Sequence, residues 1–126
     1  MSNFKKAAFD LSAGRTEFHD LLNLTGCEVS FNNFPAGAAV PFVHSHKENE
    51  EFYLVLNGDG EIYIDGQTVT IKAGEAFRVD PAGERCIKAG ADGLTLICVQ
   101  SRENSLKEFT ASDANILKDK KSPWMN

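Results

Sequence analysis

The sequence predicts an all-β fold, an antiparallel sandwich or barrel, and three observations carry that expectation. From Cys27 onward, about eight short runs rich in branched and aromatic residues follow at close spacing. Glycine and proline turns separate them, as at Pro35-Ala36-Gly37, Ala73-Gly74 and Pro81-Ala82-Gly83. Asp65-Gly66 stands between Glu61–Ile64 and Gln67–Lys72, the signal of a two-residue type I′ hairpin.

Before these strands, Phe18, Leu21 and Leu22 recur at helical spacing, so a helix is expected over residues 15–23, stopping before Thr25-Gly26. His19 lies on it, as a surface or packing histidine. The first strand runs over Cys27–Phe34. Glu51–Leu56 is almost wholly apolar after its first residue, and Asn57-Gly58-Asp59-Gly60 reads as a turn. The hairpin pairs Ile62 with Val69, which puts Ile62, Ile64, Val69 and Ile71 on one buried face. Ala76–Val79, Arg85–Ala89 and Leu94–Ser101 are further strands, the last two divided by Gly90–Gly93. Residues 106–119 are expected to hold a short strand and a helical turn. The organisation is an arm and helix over 1–26, a barrel over 27–109 and a C-terminal tail over 110–126 packing on the barrel. Phe52–Leu56 and Leu94–Val99 are apolar on both faces, so their outer face needs a cover. The helix or a second subunit can supply it, and a homodimer is expected.

At 126 residues the chain suits one domain with one core. Its net charge of −5 argues against a nucleic-acid backbone or an anionic membrane as partner. Lys118, Lys120 and Lys121 with Asp119 read as a solvated basic cluster. Three cysteines, Cys27, Cys86 and Cys98, make no disulfide or zinc-ribbon pattern, and reduced thiols in a cytoplasmic protein are the simplest account. No signal peptide or membrane-spanning helix is expected.

The chemistry concentrates in His44-Ser45-His46-Lys47-Glu48-Asn49-Glu50-Glu51. Residues two apart on extended chain share a side, so His44 and His46 can aim both imidazoles at one point. A turn at Lys47–Asn49 brings the carboxylate of Glu51 to the same point. Two histidines and a carboxylate on one side of an ion, with positions left open, form the facial arrangement of non-haem iron, which other divalent metals also accept. Neighbours on a strand face opposite sides, so only one of Glu50 and Glu51 can join. Tyr53 shares the parity of Glu51, as a lumen hydroxyl beside the metal or as core. Arg78 and Arg85 could anchor a substrate anion, but are expected on a rim, paired with Glu75 or Glu84. Phe42 and Phe77 are candidates for the pocket mouth. Cys27 and Cys98 read as structural.

His44-x-His46-x4-Glu51-x6-Gly58, followed by Gly74, Pro81-x-Gly83 and Cys86, resembles the two motifs of the cupin superfamily over residues 37–90. The spacings from Gly37 to His44 and from Gly74 to Pro81 are each one residue longer than the family's usual ones. The histidine that closes the second motif falls on Cys86, and its asparagine on Gly90. The resemblance implies a double-stranded β-helix, the cupin jelly-roll barrel, with its site in the lumen. It selects Glu51 over Glu50 and implies metal ligands His44, His46 and Glu51. Cys86 is then a fourth, softer ligand, an unligated thiol in the space of the missing imidazole, or a contact to substrate. Iron, zinc or nickel is favoured, with manganese possible. The function this implies is a mononuclear-metal protein acting on or binding a small metabolite, foremost a dioxygenase-like oxidoreductase. A metal-dependent isomerase or epimerase, with Tyr53 or Glu50 moving a proton, and a non-catalytic binding module are the alternatives.

Overall fold

The structure is a computed structural model that describes residues 3–125. Its strands are β1 (Arg15–Glu17), β2 (Glu28–Phe34), β3 (Asn49–Ile64), β4 (Gln67–Lys72), β5 (Ala76–Val79) and β6 (Arg85–Arg102), with one short helix, α1 (Phe18–Leu22). All pair antiparallel, in the order β1-β2-β6-β3-β4, with β5 also on β3.

Two expected turns are instead corners within long strands. Asn57–Gly60 lies inside β3 and Gly90–Gly93 inside β6, and the two pair along almost their whole length. The reason is that the glycine clusters lie opposite each other: Gly58 pairs with Leu94 and Gly60 with Ala89, with register shifts on either side. Gly58 has φ +81°, and a Cβ there would lie 2.1 Å from the carbonyl oxygen of Gly93. Only glycine lets both backbones bend at the same place. The bend folds the sheet over itself. Ile62, Ile71, Ile87 and Ala89 of one half then share a core with Tyr53, Val55, Val79, Leu94, Leu96 and Cys98 of the other.

The hairpin forms as expected, with positive φ at Asp65 and Gly66 and Ile62 opposite Val69. Ile62 and Ile71 are buried, but Val69 stays 45% exposed because β4 is an edge strand with nothing beyond it. The helix is shorter than expected. Arg15–Glu17 pairs with Ser30–Asn32 as β1, so the backbone is extended until Phe18. Asn23, in the left-handed conformation, ends the helix. In front of it, Phe9 packs edge-on against Phe18 and Phe31 and covers part of the sheet's outer face.

After β6 the chain forms no further strand among the described residues, only a 3₁₀ turn at Thr110–Ser112. Leu106, Phe109, Ile116, Leu117 and Trp124 along this stretch are exposed. No helix among the described residues is long and apolar enough to cross a membrane.

Candidate metal centre in the barrel lumen

His44 and His46 lie on the loop before β3, and backbone hydrogen bonds fix both. The His44 amide donates to the carbonyl of Arg85 at 3.1 Å and its carbonyl accepts from the Arg85 amide at 3.0 Å. The His46 amide donates to the Pro81 carbonyl at 2.8 Å. The first motif is thus tied to the second, strand to turn, and the two imidazoles sit 5.1 Å apart, nearly perpendicular. Alternation along β3 does the rest: Glu51, Tyr53 and Val55 point inward, while Phe52 and Leu56 point out.

These elements bring one donor atom each from His44, His46 and Glu51 within 4.8 Å of one another. Nε2 of His46 lies 3.2 Å from Oε2 of Glu51. Two ligands about 2.1 Å from one ion at right angles are separated by roughly 3 Å, so that spacing suits shared coordination. Nδ1 of His44 and Nε2 of His46 are buried and make no hydrogen bond. Orphaned buried nitrogens are costly and uncommon, and that of His46, 3.2 Å from the Glu51 carboxylate in a group that also includes His44, fits a cation held among the three. Burial foremost, together with the positive charges of Arg85 and His46, lowers the pKa of His44 against the opposing pull of Glu51. The ring is held in the neutral form that a metal requires.

The two oxygens of Glu51 have different surroundings. Oε1 accepts a 2.6 Å hydrogen bond from the Tyr53 hydroxyl and lies 3.1 Å from Nε of Arg85. That guanidinium approaches off the N–H axis, so the contact is an ion pair and not a hydrogen bond. Oε2 faces His46 and lies 3.6 Å from the Cys98 thiol. Burial, then the neighbouring Glu51 charge, pushes the Cys98 thiol up to about 12. Burial is also the main cause that raises the Tyr53 phenol far beyond its usual range, so it stays a donor. Tyr53 is held flat against Phe77, with ring centroids 4.8 Å apart. Phe77 therefore backs the site from within the core, while Phe42 is exposed at the cavity mouth.

Arg85 is the residue that sequence reasoning misplaced. It is not on a rim but fully buried, with its guanidinium donating to the carbonyls of Gly83 at 2.8 Å, Pro81 at 3.3 Å and Asp80 at 3.4 Å. The alternation Arg85-x-Ile87-x-Ala89 held the signal, since Ile87 and Ala89 are buried core and Arg85 shares their parity. Cys86, next along the strand, pairs with Tyr63. Cys86 forms part of the cavity wall, but its thiol lies 3.6 Å from the Val40 carbonyl and outside the group of converging donors. Arg78 is exposed as expected, paired with Asp80 at 2.8 Å in place of a glutamate.

The donors open onto a cavity of about 460 Å³, walled by the apolar Phe34, Val40, Phe42, Ile87 and Leu96 and by the amides Asn32 and Gln100, with Arg15 at its edge. A size of this order suits a small organic molecule.

The cupin-domain family profile matches residues 31–99, more than half of the chain, and includes Glu51 and the whole second motif. The chain belongs to the cupin family. A cupin protein from Bacteroides fragilis is 45% identical, with a TM-score of 0.88 over 93% of this chain and 99% of the other. A cupin 2 conserved barrel domain protein from Salinispora arenicola, 13% identical, superposes with a TM-score of 0.68 over 81% of this chain and 92% of its own, a likeness of fold alone. A predicted oxalate decarboxylase from Thermotoga maritima is 26% identical, with a TM-score of 0.53 over 60% of this chain and 64% of the other. No curated protein matches the sequence. The cupin barrel confirms the double-stranded β-helix expected from the two motifs.

Proposed function

We propose that this cupin is a mononuclear-metal, dioxygenase-like oxidoreductase acting on a small metabolite, with His44, His46 and Glu51 as its metal ligands. The observation that carries the reading is the convergence of one donor atom each from His44, His46 and Glu51 within 4.8 Å, with the buried Nε2 of His46 lacking a hydrogen bond. A redox-active ion held by this donor set supplies Lewis acidity and electrons for reaction with oxygen. Around it, each residue has a definite task. Arg85 and Tyr53 hold Oε1 of Glu51, which leaves Oε2 turned toward the histidines. Tyr53, whose one proton is given to Oε1 of Glu51 and secured by burial, would orient that carboxylate and would not take a proton from the substrate. The apolar wall excludes water from the reacting atoms.

The Cys86 thiol, turned to Val40, stays outside the proposed ligand set. Without that soft ligand the nitrogen and oxygen donors suit iron and manganese as well as zinc and nickel, and geometry and availability rather than affinity would select the ion. We also propose a homodimer in the cytoplasm. The support for dimerisation is the outer face of β3, where Phe52 and Leu56 remain about half exposed.

The test is elemental analysis of untagged protein purified without chelator, for wild type, His46→Ala and Cys86→Ser. Metal near one equivalent in wild type and Cys86→Ser, and lost in His46→Ala, is the expected result. Absence of metal in wild type, even after titration with Fe(II), overturns the reading. Oxygen uptake by Fe(II)-loaded protein with a metabolite panel then separates the chemistries. Turnover without oxygen would indicate an isomerase, and binding without turnover a non-catalytic module.

A further inference from the structure

We infer that the ligand of this cavity is a small organic anion, a carboxylate on an apolar body. The inference rests on the metal reading above and names the class of molecule that the site takes.

The argument begins with charge. Glu51 is the single carboxylate among the described residues that line the cavity, and Arg85 and Arg15 are its cations. Arg85 is wholly buried, and among the described residues its one anionic contact is Glu51, its other partners being backbone carbonyls. Glu51 therefore already offsets one cation before any metal binds. A divalent ion at the histidines shares the same carboxylate, and its charge is left largely uncompensated in a lumen that water does not screen well. Arg15 at the edge has an outlet, because its guanidinium pairs with the exposed Glu17 at 3.0 Å, although it also donates to Asn32 in the cavity wall at 2.8 Å. No other carboxylate among the described residues lines the cavity, so an anionic ligand is the complement that the site lacks.

The wall argues for the rest of the molecule. Phe34, Val40, Phe42, Ile87 and Leu96 offer hydrocarbon surface, and the amides Asn32 and Gln100 on the same wall already accept from Arg15 and Asn49. A hydrated polyanion would lose its water there without replacement. A carboxylate at the metal end with a hydrocarbon body along the wall satisfies both halves. The chain as a whole carries a net charge of −5, so this is a local electropositive interior and not a general attraction for anions.

The experiment compares 3-phenylpropanoate with 3-phenylpropanamide, and butanoate with butanamide, by calorimetric titration of Zn(II)-loaded protein whose metal content is measured first. The acids should bind at least ten-fold more tightly than their amides, and the phenyl acid more tightly than butanoate. Arg85→Gln, which frees Glu51 to serve the ion alone, should narrow the acid preference several-fold, and Arg85→Lys should keep it. Should Arg85→Gln not fold, the wild-type comparison decides alone. Amides that bind as well as acids, or no acid binding at millimolar concentration to protein shown to hold zinc, overturn the inference and leave the metal site standing. Protein that takes up no metal overturns both.

Discussion

The hydroxyl of Tyr53 donates a 2.6 Å hydrogen bond to Oε1 of Glu51, two residues back on the same inward face of β3. That bond fixes the rotation of the carboxylate. With Oε1 engaged by Tyr53 and Arg85, only Oε2 is presented to His46. The orientation of the proposed ligand is thus set by strand parity and a single phenol.

Tyr53→Phe should therefore cost stability more than metal. Glu51 loses one partner in a buried site, which is worth about 1–3 kcal/mol. A urea titration should show that loss, while metal content stays near the wild-type value because Arg85 still holds Oε1. An unchanged urea midpoint would mean that the hydrogen bond contributes nothing net to the fold.

The Arg85–Glu51 pair gives a sharper expectation. Glu51→Gln leaves the guanidinium of Arg85 buried without a counter-charge, a kind of change that costs about 3–5 kcal/mol. Adding Arg85→Met should recover part of that loss and not all of it. The carbonyls of Pro81 and Gly83 would still lack the donor that now serves them. A double-mutant cycle in urea measures this directly, and strict additivity of the two substitutions would refute the coupling.

How much of this was legible in the sequence depends on which interactions are local. The Asp65-Gly66 hairpin was readable because a two-residue turn is a property of adjacent residues, whereas strand parity admitted only one of Glu50 and Glu51 and the spacing of the motif to Gly58 picked Glu51. The expected cupin barrel was readable from the two spaced motifs. The corners at Asn57–Gly60 and Gly90–Gly93 were not, since a glycine cluster reads as a turn until one knows that another cluster lies opposite it. Arg85 was missed for a similar reason. Its partners are backbone carbonyls of the preceding turn and a carboxylate on another strand, and composition alone favours a surface arginine. Cys98 was read as structural, and its contact with Glu51 depends on pairing between β3 and β6.

The corner glycine Gly58 and the hairpin glycine Gly66 should respond unequally to substitution. Gly58 and Gly66 both have positive φ, so alanine is strained at either, by roughly 1–2 kcal/mol. At Gly66 a Cβ meets nothing within 4 Å, and that backbone cost should be the whole effect. At Gly58 a Cβ would collide with the Gly93 carbonyl, so the two long strands must part. Gly58→Ala should lower the urea midpoint well beyond Gly66→Ala, or leave the chain unfolded. Equal effects at the two positions would show that the corner tolerates separation.

Acid should destabilise the metal-free protein through His44. Its pKa in the fold lies below the ordinary value of 6.5, chiefly because burial penalises the charged ring. In the unfolded chain the ring takes up a proton as pH falls through about 6.5, while in the fold it resists until a lower pH. The unfolded state therefore binds more protons across that window, and stability falls as pH drops from 6.5 toward the folded value. Above 6.5 both states are neutral at this position, and His44 adds no slope. Urea midpoints of metal-free wild type and His44→Gln, compared from about pH 8 to about pH 5, isolate the effect. The wild type should lose more stability on acidification, and the two curves should run parallel on the alkaline side. Parallel curves throughout would show that the imidazole titrates alike in both states, and that its burial imposes no cost on the charged ring.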